Sequence, residues 1–222
     1  MKPSFCVYLI VFYLFVNACS NPQSHSGISQ AKKAPATKVD TTKSFKIANT
    51  WVTPKPSLDF NALNKFAGDT LDLVVCGKYV YEPFGGIKSK KDFKSSLLSS
   101  FLVINRMERE DSGTFEFNSL RHNKSKLLFF FDTDPEASAH SSVFKGEIYD
   151  ADVHFVNGIK IGMPTANFYN TLFDYFPVEL ISNYHVVVLE SCVQDIIHTY
   201  TFKNGKLESV KFANDSYWKV DY

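Results

Sequence analysis

Residues 158–177 read Gly-Ile-Lys-Ile-Gly-Met-Pro-Thr-Ala-Asn-Phe-Tyr-Asn-Thr-Leu-Phe-Asp-Tyr-Phe-Pro. After the glycines and proline that open this stretch, Phe168, Leu172 and Phe176 follow at intervals of four. That spacing sets three apolar side chains on one helix face, and Phe173 widens the stripe. Pro164-Thr165 supplies a start signal and Pro177 a stop. The same order stands earlier in the chain: Gly86-Ile87-Lys88 leads to Phe93, Leu97 and Phe101, with Leu98 beside them. A shared motif followed by the same apolar spacing points to an internal duplication.

The flanks extend the match. A strand-like run precedes each motif, at residues 71–81 and 143–156. Three more follow each helical pattern: 102–108, 114–119 and 126–132 in the first copy, and 184–191, 196–203 and 206–213 in the second. Asn204-Gly205 joins the last two, a pair that tolerates the positive φ of a tight hairpin. His198, Tyr200 and Phe202 alternate with Ile197, Thr199 and Thr201, so one face of that strand is expected to pack on the helix. Each unit reads β-α-β-β-β, and residues 59–67 add a short helix before the first. The expected fold class is α+β: two tandem β-α-β-β-β units, at 58–141 and 142–222, each an antiparallel sheet with a helix packed on one face.

Gly158-Ile159-Lys160-Ile161-Gly162-Met163-Pro164-Thr165, then an amphipathic helix and a meander ending Phe202-Lys203-Asn204-Gly205-Lys206-Leu207, resembles a recurrent module. It is similar to the outer-membrane assembly lipoproteins of the SmpA/OmlA type and to the β-lactamase-inhibitor-protein fold. The resemblance covers residues 157–213 and, more weakly, 86–132. It implies a protein-binding scaffold rather than an enzyme.

The start of the chain carries a second signal. Lys2 precedes an unbroken apolar run over residues 5–16, and Asn17-Ala18-Cys19-Ser20 follows. One positive charge, a short apolar stretch and a small residue before the break form a secretory leader, too short to span a bilayer. Val16-Asn17-Ala18-Cys19 resembles a bacterial lipobox, with valine and asparagine at its first two positions. Residues 1–18 are therefore expected to be removed and Cys19 to carry the lipid; the alternative is an ordinary secreted chain cut nearby. Residues 19–57, rich in Ser, Pro, Thr, Gln, Lys and Ala, are expected to be a disordered tether. Ser20, rather than an acidic residue, implies by resemblance to sorted lipoproteins a position at the outer membrane. The acidic run of surface-exported Bacteroidota-type lipoproteins is missing, which leaves a periplasm-facing anchor as the expectation.

Composition narrows the partners. The chain has 24 basic and 23 acidic residues, and the leader holds Lys2 and no acid, so the mature protein is electrically balanced. No basic block interleaves with aromatics, which argues against nucleic acid. Aromatic residues make up 15% of the chain, 21 of them phenylalanine, which suits a strand-rich core. Beyond Cys6 and Cys19, the cysteines are Cys76 and Cys192, each in an apolar run. In an oxidising compartment they can form a disulfide; otherwise they are two buried thiols.

No motif carries catalysis. The histidines 25, 122, 140, 154, 185 and 198 form neither His-x3-His nor His-Glu-x2-His, and a zinc site from His154, His185 and His198 would need three separate strands to converge. Residues 132–136, Asp-Thr-Asp-Pro-Glu, lack the central glycine of a calcium loop. The serines at 95–100 read as a polar helix face, and Gly85-Gly86 as a tight turn needing positive φ. The expected function is thus non-catalytic, without cofactor or metal: an envelope lipoprotein whose open sheet face binds a protein partner through Tyr79, Tyr81, Tyr200, Tyr217 and Trp218. The alternative is a carrier of a small apolar ligand or lipid, held in a helix–sheet pocket lined by Phe115, Phe117, Phe129, Phe130 and Phe131. A cavity of roughly 300 Å³ or more favours the carrier.

Overall fold

Asn204 and Gly205 both adopt positive φ, 51° and 71°, and fold Ile196–Lys203 back on Lys206–Asn214. The computed structural model describes residues 40–110, 113–132, 141–193 and 196–214. Within them, short strands β1 (Phe45–Ile47) and β2 (Thr50–Pro54) precede β3 (Phe60–Ala67), β4 (Thr70–Val75) and the single helical turn α1 (Lys78–Tyr81). A first meander follows: β5 (Leu102–Glu110), β6 (Gly113–His122) and β7 (Ser125–Phe130). Then come β8 (Val143–Ile148), α2 (Thr165–Leu172), β9 (Phe173–Tyr175) and α3 (Val178–Ile181). The second meander, β10 (Val186–Ser191), β11 (Ile196–Lys203) and β12 (Lys206–Asn214), closes the described chain.

The meanders do not form two sheets. One nine-stranded sheet runs β3-β4-β10-β11-β12-β8-β7-β6-β5, and β1-β2-β9 form a separate three-stranded sheet. β8 is the seam, antiparallel to β12 on one side and to β7 on the other. Gly146 makes this possible, because a Cβ there would collide with the Leu127 side chain and crowd the Lys126 carbonyl. At the far end β4 pairs parallel with β10, Leu71 beside Val187 and Leu73 beside Leu189. That pairing makes the sheet mixed and draws the start of the first unit against the second meander.

The α+β expectation is therefore overturned. Strand accounts for 49% and helix for 16% of the structure, too little helix to form a layer over nine strands. The core face is covered instead by the small sheet, helical turns and loops, whose Ile47, Val52, Phe84, Phe93, Phe168 and Leu172 join one continuous apolar cluster with the sheet. Phe117, Leu128 and Phe144 form a smaller cluster apart from it. Among the described residues, no helix is long and apolar enough to cross a membrane.

Individual elements depart from expectation for local reasons. No α-helix carries Phe93, Leu97 and Phe101. A 3-10 turn at Lys90–Ser95, capped by Ser89 and Asp92, gives way to turns. The serines divert the backbone: Ser95 Oγ donates to the Asp92 carbonyl, Ser96 Oγ donates to the Phe93 carbonyl, and the Leu98 N–H donates to Ser96 Oγ. Side chains that bond their own backbone compete with helix. In the second copy α2 ends at Leu172, and Phe176 lies beyond β9, stacked on Tyr169 with ring centroids 3.9 Å apart. The run 71–81 breaks at Val75, and 143–156 stops being strand at Ile148. The helix expected at 59–67 is the edge strand β3, because Asp59 turns the chain at φ 48° and pairing with β4 dominates. The tether does not reach residue 57: β1 and β2 occupy 45–54, where Ile47 and Val52 are fully buried. The leader, Cys19, Tyr217 and Trp218 lie outside the described residues.

Candidate functional site

Cys76 and Cys192 are joined as a disulfide, Cα–Cα 5.2 Å, across 116 residues. The bridge ties the end of β4 to the end of β10, where the Cys192 N–H also donates to the Val75 carbonyl (3.0 Å). Immediately after it, the Cys76 N–H donates to the Asp59 carbonyl (2.8 Å) and the Gly77 N–H to the Leu58 carbonyl (3.2 Å). A Cβ on Gly77 would overlap the carbonyl oxygens of Ser57 and Leu58, so only glycine lets the 56–59 turn approach this closely. α1 starts here, fixed between the bridge and that turn.

Against α1 stands a loop from the other half of the chain. The Val156 N–H donates to the Pro83 carbonyl (3.0 Å), and the Lys55 N–H to the Leu172 carbonyl at the end of α2 (2.9 Å). Between these segments lies a half-open cleft of about 420 Å³. Leu58, the Tyr79 ring, Val156 and Leu172 make its walls mostly apolar, and Gly85 and Gly86 leave room where side chains would fill it. Gly85 takes φ 92°, the left-handed turn read from the Gly-Gly pair. At the rim Lys78 Nζ and Glu82 Oε2 form an i,i+4 pair at 3.2 Å, so the rim carries both signs.

The polar groups behind this wall are uncharged. The Tyr79 hydroxyl is buried without a hydrogen-bond partner, and burial, with Tyr200 nearby, raises it well above the ordinary phenol range. Tyr200, 1% exposed, shares a hydrogen bond with His198 Nδ1 (3.2 Å). Burial pushes the His198 imidazole down to about 3, so it is neutral at physiological pH.

The tyrosines expected on one open sheet face are dispersed. Tyr79 stands in the cleft wall, and Tyr81 places its hydroxyl 3.3 Å from Cys192 Sγ. Tyr200 is in the core, packed on Phe168 of α2 with ring centroids 4.9 Å apart, and has no surface to offer a partner. The phenylalanine-lined pocket is also corrected. Phe129 and Phe131 pack with the large core, while Phe115 and Phe130 pack with Phe117 in the small cluster. Successive residues of one strand face opposite ways, so these rings cannot enclose a common space.

Ser125, His122 and Asp152 come near one another without forming a nucleophile and base. Ser125 Oγ donates to Asp150 Oδ2 (2.6 Å) and accepts from the Tyr149 and Asp150 N–H groups. His122 Nε2 contacts Asp152 Oδ2 at 2.8 Å instead, and that contact holds the Asp152 carboxyl below its usual range. His198 is sealed in the core while His154 and His185 are exposed. Among the described residues, no three metal-ligating side chains converge.

The cleft itself was not legible in the sequence, since it is assembled from residues 57–58, 78–86, 156–157 and 171–172. The glycine pair at 85–86 was its one local signal. Comparison with family models, with curated proteins and with solved structures finds no match to this chain.

Proposed function

We propose that this chain is an exported, lipid-anchored binding protein that holds a small, mostly apolar ligand in the cleft between α1 and the end of α2. The cleft carries this reading: about 420 Å³ falls within the usual size of small-molecule sites, and its walls are largely carbon. The disulfide supports export, since such bonds persist in oxidising compartments. Cys19 after a small residue supports the anchor, and Ser20, with no acidic run after it, supports a periplasm-facing place at the outer membrane. Ser125 committed to Asp150 rather than to His122 supports binding without catalysis. The protein-scaffold reading ranks second, because Tyr79, Tyr81 and Tyr200 share no surface.

N-phenyl-1-naphthylamine, a neutral apolar fluorophore, tests the cleft on the full mature chain. Gly86→Leu is the blocking variant: the nearest atoms a Cβ at Gly86 would meet are those of the Glu82 carboxylate, at 3.5 Å or more. Probe emission should rise on binding to the parent, and Gly86→Leu should weaken binding about tenfold while the unfolding temperature holds. Equal binding by both proteins would sink the cleft as the site.

A further inference from the structure

The three-stranded sheet has an outer face of distinct chemistry. In β2, Val52 points into the core, so Trp51 and Thr53 point away from it. Lys46 of β1 pairs with Trp51, its Nζ 4.8 Å from the ring centroid. The register between β2 and β9 shifts by one: Pro54 opposes Phe173 and Thr53 opposes Tyr175. The extra residue is Asp174. Without this bulge Tyr175 would follow Phe173 into the core; with it, Phe173 stays buried and Tyr175 turns outward, 50% exposed. A bulge that re-aims a side chain is a built feature. Three residues on, Val178 at the start of α3 is 71% exposed.

Trp, Tyr and Lys around an exposed aliphatic residue form the set that settles at a membrane–water interface, where amphipathic rings lie at headgroup level and lysine reaches the polar zone. Charge points the same way. On these strands exposed Lys46 is matched by exposed Asp174, so this face is not a basic patch seeking an anionic polymer. Position adds an independent argument. β1 is the first described strand after Cys19, and the chain between Cys19 and Asp40 reaches at most about 75 Å. Of the two sheets, this one therefore lies nearer along the sequence to the proposed acyl group.

We infer that the outer face of β1-β2-β9 docks on the surface of the membrane holding the Cys19 lipid, with Trp51 and Tyr175 at headgroup level. This rests on the lipid-anchor reading, and the test separates the two. The chain has two tryptophans, Trp51 and Trp218, so Trp218→Phe leaves Trp51 as the sole reporter. The full acylated Trp218→Phe protein is reconstituted into phosphatidylcholine vesicles with plain or brominated acyl chains, and flotation and Trp51 emission are read together. Docking predicts co-flotation and roughly twofold quenching by the brominated lipid, as for a ring 5–10 Å into the interface. Adding Tyr175→Ser and Val178→Ser should remove most of the quenching and leave flotation intact. Co-flotation without quenching overturns the docking and spares the anchor. A blue shift at high protein density without quenching overturns it in favour of self-association through this face. Failure to float overturns the anchor, and the docking with it.

Discussion

Residues 93–101 and 168–176 carry the same apolar spacing, yet only the second begins as an α-helix. Phe168 and Leu172 lie on one face of α2, with Phe168 against Tyr200 and Phe202 at 4.9 Å each. In the first copy Phe93 packs on Phe129 at 5.1 Å and Leu98 is buried, while Leu97 points to solvent. The residues between decide the outcome. α2 contains Ala166, Asn167, Tyr169, Asn170 and Thr171; the first copy sets Ser95, Ser96, Ser99 and Ser100 around its leucines. Hydroxyls that bond the backbone within three residues offer each peptide group an alternative to the i→i−4 ladder. Apolar periodicity thus states which side chains seek burial, and local hydrogen bonding decides whether a helix delivers them.

The largest expected contrast lies at the two middle positions. Leu172 is 2% and Leu97 45% exposed. Leu172→Ala should destabilise the fold by about 3 kcal/mol through lost burial and the cavity left behind. Leu97→Ala should change stability by less than about 0.5 kcal/mol, as exposed substitutions do. Urea denaturation of both variants measures this; equal losses would mean that the two segments pack alike.

How far the sequence speaks follows the range of the interaction involved. The meander strands were legible because each rests on its own alternation: β11 was expected at 196–203 and spans Ile196–Lys203, with His198, Tyr200 and Phe202 inward. The Asn204-Gly205 turn is equally local. Assembly of the meanders was not legible, because the parallel β4–β10 pairing and the insertion of β8 between β7 and β12 join residues far apart in sequence. β3 was misread because pairing with β4 outweighed a weak local preference. β1 and β2 were hidden by their brevity among Lys and Thr. The cleft shares this limit, having no segment of its own, although Tyr79 was singled out for another purpose.

The meanders differ in a second way. Each buries a polar residue in its central strand, Asn118 in β6 and His198 in β11, and only the histidine titrates. The unfolded imidazole takes a proton near pH 6.5, whereas burial keeps the folded one, facing Tyr200 and the Val80 backbone, neutral down to about 3. Between those values the unfolded state binds more protons, so stability falls as pH falls, by roughly 1 kcal/mol per pH unit from this group. Its contribution is fully present above pH 6.5. His198→Gln should flatten the stability profile between pH 6.5 and 4 by that slope, whatever its effect at pH 8. Parallel profiles for parent and variant would show that His198 carries no acid sensitivity.

The smallest effect tests the cause of the contrast itself. Replacing Ser95, Ser96, Ser99 and Ser100 with alanine removes the Oγ bonds to the Asp92 and Phe93 carbonyls and the acceptor of the Leu98 N–H. Alanine gains about 0.5 kcal/mol of helix propensity per serine, but lost turn bonds of similar size offset it. Net stability should therefore shift by only a few tenths of a kcal/mol, while the backbone preference changes. If the serines hold the first segment out of the helix, the 222 nm ellipticity should deepen by about two turns of helix, and Leu97 should become protected. If ellipticity is unchanged, the contacts of Phe93 with Phe129 and Phe131 fix the turns by themselves. Tertiary packing, rather than the hydroxyls, would then separate the two segments.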